Sequence, residues 1–335
     1  MRKILWIFLI LLAVVVIGYL LGPAPATPIY SRVIPPVPAE AKVLENYILK
    51  KEAQHKIKPD NEARIIWYND SLKKKTPYAL VYLHGFSASQ AEGEPVHRNI
   101  AKEFGCNLYL SRLAEHGIDT TEPMMQLTAD SYWESAKEAL AIGHKIGEKV
   151  ILVGTSTGGT NALQLAAAYP EDVSAIVLLS PNIEINDPNA WLLNNPWGLQ
   201  LAHWITGSNY IVSKDDRPIN QQYWTTRYRL EAAVALQELL ETTMNEETFK
   251  KIKQPTLLLY YYKDAIQQDS TVKVSAMANM FAQISTPADK KRSVAIPNAG
   301  THVIGSYIRS HDVAGVQREI ENFLIRVAGI PMIKQ

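Results

Sequence analysis

The sequence predicts an α/β layer fold on a mostly parallel sheet, preceded by a transmembrane helix. Three observations carry this. β-Rich apolar runs alternate with helical stretches from residue 64 onward. Several runs lack polar alternation, as strands buried on both faces do. The chain also begins with an uncharged run of bilayer length.

Taken in order, Arg2 and Lys3 precede the uncharged run Ile4–Leu21. As a helix these 18 residues span about 27 Å at ~1.5 Å per residue, close to the hydrocarbon thickness of a bilayer. Residues 1–22 therefore read as a retained membrane anchor. The alternative is a signal peptide cleaved after Ala24-Pro25-Ala26. No cysteine stands directly after the run, which excludes lipoprotein processing. The leading basic residues stay cytoplasmic, so the body is expected outside, in the periplasm or exterior. Residues 23–38 hold six prolines and read as an extended spacer that keeps the body off the membrane.

The body, 39–335, carries expected strands at Arg64–Trp67, Tyr78–Leu83, Asn107–Leu110, Lys149–Val153, Val173–Leu179, Thr256–Tyr262 and Arg292–Ile296. The clearest helix is Val313–Ala328, with Asp312 as its cap and Gly329 and Pro331 beyond its end. About 181–253 breaks the rhythm. It shows helix and loop without a convincing strand, holds four of the seven tryptophans, and reads as an insertion above the sheet.

Composition excludes several functions. With 34 basic and 33 acidic residues, a net charge of +1 offers no electrostatic case for nucleic acid. The single cysteine, Cys106, excludes an internal disulfide and any Cys-rich zinc site. No two of the eight histidines stand at HExxH spacing.

The chemistry is concentrated in three places. Gly154-Thr155-Ser156-Thr157-Gly158-Gly159 is a G-x-S-x-G between an expected strand and a helix running from about Thr160 to Ala168. Such a turn exposes the serine hydroxyl at the carboxyl end of the sheet, beside a helix N-terminus. His84-Gly85-Phe86 ends another strand. The amides of Phe86 and Thr157 are the expected oxyanion donors, and His84 is expected to shape the loop. Asp264 closely follows the strand ending at Tyr262, and His302 follows the last one. The order Ser156, Asp264, His302 suits nucleophile, orienting acid and base. Asp269 competes for the acid but is better explained as the cap of a helix over Thr271–Ala282. His311 is a weaker rival of His302. His116 reads as a turn histidine bonded to backbone.

Residues 78 to about 325 resemble the α/β-hydrolase superfamily, and more closely its monoacylglycerol lipase-like and serine-aminopeptidase-like carboxylesterases. The resemblance lies in Leu83-His84-Gly85-Phe86-Ser87, in Arg112-Leu113-Ala114-Glu115-His116-Gly117, in the G-x-S-x-G, and in the late Asp and His. It implies an α/β-hydrolase fold, a helical cap at the insertion, and cofactor-independent hydrolysis of esters, commonly with medium or long acyl chains. Two positions depart from the family pattern: Tyr261 stands where glycine is usual, and Ala114-Glu115 stands for Pro-Gly. The expected function is a membrane-anchored serine carboxylesterase or lipase acting on a small-molecule ester or acyl substrate, the cap aromatics forming an acyl pocket. Amidase or peptidase chemistry and acyl transfer pass through the same acyl-enzyme and stay open. A tethered binding module with a dead site is the alternative of another class.

Overall fold

The apolar runs form a seven-stranded sheet in a computed structural model that describes residues 2–333. Met1, the first residue of the expected anchor, and Lys334 and Gln335, the last of the body, lie outside the described residues. The strands are β1 (Arg64–Ile66), β2 (Thr76–Leu83), β3 (Asn107–Leu110), β4 (Gly147–Thr155), β5 (Ala175–Leu179), β8 (Thr256–Tyr260) and β9 (Lys291–Ala295). Their order is β1-β3-β2-β4-β5-β8-β9, all parallel except β1 against β3. Successive residues of β2 and β4 serve different cores. Ala79, Val81, Val150 and Leu152 join one face, while Leu80, Tyr82, Ile151 and Val153 join the other. This two-sided burial is why the runs read as continuous rather than alternating.

The helices are α1 (Arg2–Leu20), α2 (Ala41–Glu52), α3 (Val96–Glu103), α4 (Ala129–Ile146), α5 (Thr157–Ala168), α6 (Gly198–Thr206), α7 (Pro218–Tyr223), α8 (Leu230–Thr243), α9 (Glu246–Phe249), α10 (Val274–Gln283) and α11 (Val313–Arg326). Asp312 caps α11 as expected, its Oδ1 accepting the Gly315 amide at 2.9 Å. The helix stops two residues earlier than its apolar pattern. α1 is long and apolar enough to cross a membrane, and its residues are exposed.

Two expectations are corrected. The insertion contains strands, β6 (Tyr210–Val212) and β7 (Arg227–Arg229), paired antiparallel. Each has three residues, too few for alternation to register. Arg227 lies over the Tyr210 ring at 3.3 Å, so a cation–π contact helps hold the pair. The proline-rich segment is extended but is not a free spacer. Having few amide donors, it docks through its carbonyls. Ser31 accepts from Trp133 Nε1 at 2.7 Å, Val33 from Lys137 Nζ at 2.8 Å, and Arg32 from the Tyr169 hydroxyl at 3.0 Å. Tyr30 meets the Trp133 ring edge to face and hydrogen-bonds Thr242. Trp133 and Lys137 are fully buried as a result.

A chain beginning at Thr27 keeps these contacts, loses only hydrogen bonds that Gly18, Tyr19 and Pro23 make at the surface of the cap, and should therefore melt close to the full chain. One beginning at Ala39 strips Trp133 Nε1 of its acceptor Ser31 O and Lys137 Nζ of Val33 O, leaving Lys137 its ion pair with Glu134. It should lose roughly 2–4 kcal/mol by these lost hydrogen bonds and apolar contacts. Thermal denaturation and tryptophan quenching check this. Equal melting temperatures would mean the strap is ornamental.

Candidate active site

Ser156 sits between β4 and α5 with φ 52° and ψ −121°, a sparsely populated backbone region for a residue with a side chain. Its amide donates to Leu179 O on β5 at 2.9 Å, and its carbonyl accepts from Asn182 N at 2.9 Å. Two glycines permit the turn to lie where it does. A Cβ on Gly158 would fall 1.9 Å from the Leu83 carbonyl oxygen. One on Gly85 would fall 2.9 Å from the Ser156 Cβ. The end of β2 and the first turn of α5 thus touch backbone to backbone.

His302, in the loop after β9, places Nδ1 2.6 Å from Asp269 Oδ2. Nδ1–H donates, which leaves Nε2 as the free ring nitrogen. Nε2 is buried and has no hydrogen-bond partner among the described residues. Burial alone lowers the His302 pKa, but the charge and hydrogen bond of Asp269, with the charge of Glu92, outweigh it and raise it. Asp269 is held below the usual carboxylate range. Burial opposes this, and the His302 charge and the amides of Thr271 and Val272 overcome it.

The carboxylate on His302 is therefore Asp269, and the expectation of Asp264 is corrected. β8 ends at Tyr260, and 261–269 then fold back on themselves. Tyr262 bridges Gln268, Lys263 N donates to Gln267 O, and Asp269 N donates to Tyr261 O. Asp264 lies at the exposed tip and accepts the amides of Ile266 and Gln267 at 2.8 and 2.7 Å. Asp269 returns to the sheet edge. Asp269 makes cap-like turn contacts without capping the helix: Oδ1 accepts the amides of Thr271 and Val272, and Oδ2 meets His302. α10 begins only at Val274. His311 is exposed.

The loop after β2 is pinned by two neutral histidines. His84 Nδ1–H donates to Gly85 O at 2.9 Å, and Nε2 accepts from Leu113 N at 3.0 Å. Burial lowers its pKa to about 4. His116 donates from Nδ1 to Ala114 O at 2.7 Å and accepts the Ser87 amide at Nε2, 3.0 Å away. Burial holds it well below its ordinary range, as does the neighbouring His84. The loop-shaping and turn roles expected of these residues match their contacts. Neither the Phe86 nor the Thr157 amide has a protein partner among the described residues. Cys106 is buried, which pushes its thiol up to about 12.

Ser156 and His302 line one cavity of about 710 Å³ beneath the cap. Phe86, Trp224, Tyr228, Leu201 and Ile205 form part of its apolar wall. Of the four cap tryptophans only Trp224 is there. Trp191, Trp197 and Trp204 are exposed, which corrects the expectation that they form a pocket together. Sequence reasoning missed Glu92 in this wall. The available signal was that it is the lone acidic residue between Leu83 and Gly93.

Residues 78–217 match a family described as the alpha/beta hydrolase fold. No curated protein matches the chain. Among solved structures, a metagenome-derived lipolytic enzyme reported with LipS and LipT aligns with a TM-score of 0.63. Its identity is 15%, over 81% of this chain and 99% of that one. A monoacylglycerol lipase from Paleococcus ferrophilus gives 0.57 at 16% identity, over 78% and 97%. Est1E from Butyrivibrio proteoclasticus, bound to ferulic acid, gives 0.52 at 16%, over 80% and 95%. At such identities the likeness is one of fold. The matched residues thus carry an α/β-hydrolase fold, and lipases and esterases are among the chain's structural neighbours.

The geometry separates the two aspartates sharply. Asp269→Asn should slow the reaction of Ser156 with a fluorophosphonate by about 10³–10⁴-fold, as loss of an orienting carboxylate does elsewhere. Asp264→Asn should leave that rate within about twofold, since it changes only an exposed turn. The opposite ranking would overturn the assignment of Asp269.

Proposed function

We propose that this protein is a membrane-anchored serine hydrolase that cleaves carboxylic esters through an acyl-enzyme on Ser156. One observation carries the reading. His302 is held at Nδ1 by Asp269 and keeps a free Nε2 in the cavity that also holds the strained Ser156 turn.

In this scheme Nε2 takes the Ser156 hydroxyl proton as Oγ adds to the ester carbonyl. Asp269 stabilises the resulting imidazolium. The free amides of Phe86 and Thr157 receive the developing oxyanion, and the N-terminus of α5 favours the same charge. The imidazolium gives its proton to the departing alcohol. Water then adds to the acyl-enzyme with His302 again as base, releasing the acid and restoring Ser156. The apolar cavity wall suits an acyl chain.

The retained anchor is supported by contacts that α1 and Pro23 just beyond it make with the cap. Trp197 Nε1 donates to Gly18 O at 2.9 Å, its amide donates to Pro23 O at 2.9 Å, and the Tyr19 hydroxyl meets Asn195 Oδ1 at 3.3 Å. Cleavage after Ala26 would remove all three. With Arg2 and Lys3 cytoplasmic, the catalytic body faces the periplasm or exterior.

Ser156→Ala should abolish ester turnover and fluorophosphonate labelling without loss of fold. In the unmodified protein, kcat/KM should fall as pH drops through the raised His302 pKa, because the base must be neutral. The half-maximal point should lie above about 6.5, the unperturbed histidine value. Labelling that survives in Ser156→Ala, or activity rising toward acid, would overturn the reading.

A further inference from the structure

We propose that Glu92 is a positioning residue of this site: its carboxylate ties back the Gly85 amide, so that Phe86 presents the one free amide between Gly85 and Ala88, and sets a second negative charge beside His302. The inference rests on reading Ser156 and His302 as nucleophile and base.

Glu92 lies in a short turn, Gln90–Gly93, after the loop that follows β2. It is 2% exposed and lines the cavity that holds Ser156 and His302. Its Oε2 accepts the Gly85 amide at 2.5 Å. The next amides are also committed: Ser87 to His116 Nε2 at 3.0 Å, and Ala88 to Gly85 O at 3.3 Å. Phe86 alone in this run has no partner among the described residues. A peptide chain whose amides are fixed on both sides of one residue has little freedom to turn that residue's N–H away. Such preorganisation is what an oxyanion donor needs.

The second effect is electrostatic. The titratable and charged groups facing Glu92 are Tyr82 on β2, Tyr132 on α4, and His302 and Arg309 in the loop before α11. Burial pushes the Glu92 carboxyl up to about 7, against the pull of the Gly85 amide and of the charges on His302 and Arg309. An ionised Glu92 favours the charged form of His302, as Asp269 does from the Nδ1 side. The imidazolium formed during attack is thus favoured by Asp269 at Nδ1 and, where Glu92 is ionised, by its charge in the same cavity.

The two effects separate by substitution in the full-length protein, with active sites counted by fluorophosphonate titration. Glu92→Gln keeps an acceptor for Gly85 but removes the charge. It should hold kcat within about fivefold above neutral pH and move the acid limb of kcat/KM down by roughly half a pH unit. Glu92→Leu removes both and should cut kcat per titrated site by about 10–100-fold, with KM little changed, as weakened oxyanion donation does. A residue that merely filled space would change the number of active sites and neither of these readouts. Glu92→Leu with kcat per site within twofold of wild type would overturn the role in the loop. An unmoved acid limb in Glu92→Gln would overturn the charge role, and this variant decides even where Glu92→Leu fails to fold. Turnover surviving in Ser156→Ala would instead overturn the reading of the site itself, and Glu92 with it.

Discussion

The backbone contact between the end of β2 and the first turn of α5 is the constraint on which the site depends. Leu83 and Gly154 are register partners in neighbouring parallel strands, so both chains leave the sheet at one level. The Leu83 carbonyl then lies against Gly158, and Gly85 lies against Ser156, with no room for a Cβ at either glycine. One contact therefore places the serine and the loop carrying the Phe86 amide. Holding Ser156 at positive φ costs about 1–3 kcal/mol. The strands on either side offset this, since each is sealed into a core on both faces.

Three largely buried histidines show how the surroundings assign roles to one residue type. His84 and His116 are buried among backbone groups and another imidazole, with no carboxylate partner, so desolvation keeps them neutral. Each can then donate at one nitrogen and accept at the other, which is how they pin the loops. His302 suffers the same desolvation, but Asp269 at 2.6 Å reverses its direction. A raised pKa with a free Nε2 suits a base that must be neutral before attack and charged during it.

The fold class was legible because both-face burial writes itself into composition, and the Ser156 turn was legible because its glycines are sterically required. His302 was legible from its place just after the last strand. The acid was not. Proximity to a strand end in sequence favoured Asp264, whereas the backbone reverses at 263–267 and carries Asp269 back to the sheet edge. No local pattern in Tyr262–Asp269 announces that reversal. The docking of Tyr30–Val33 was hidden for a related reason: proline content sets backbone shape, while the partners Trp133, Lys137 and Tyr169 lie more than 100 residues away. Glu92 falls in no sequence motif, because its hydrogen bond runs back to a loop seven residues earlier.

The central claim is that Ser156 attacks its substrate with His302 and Asp269 behind it. Trapping the acyl-enzyme tests this most directly. A slowly deacylating ester would be mixed with the full-length protein, quenched in acid within the first turnovers, digested, and mapped by mass spectrometry. The account predicts the acyl mass on Ser156 alone, absent from His302→Ala and Asp269→Asn at the same time point. Steady turnover with Ser156 unmodified, or the acyl group on another side chain, would contradict it.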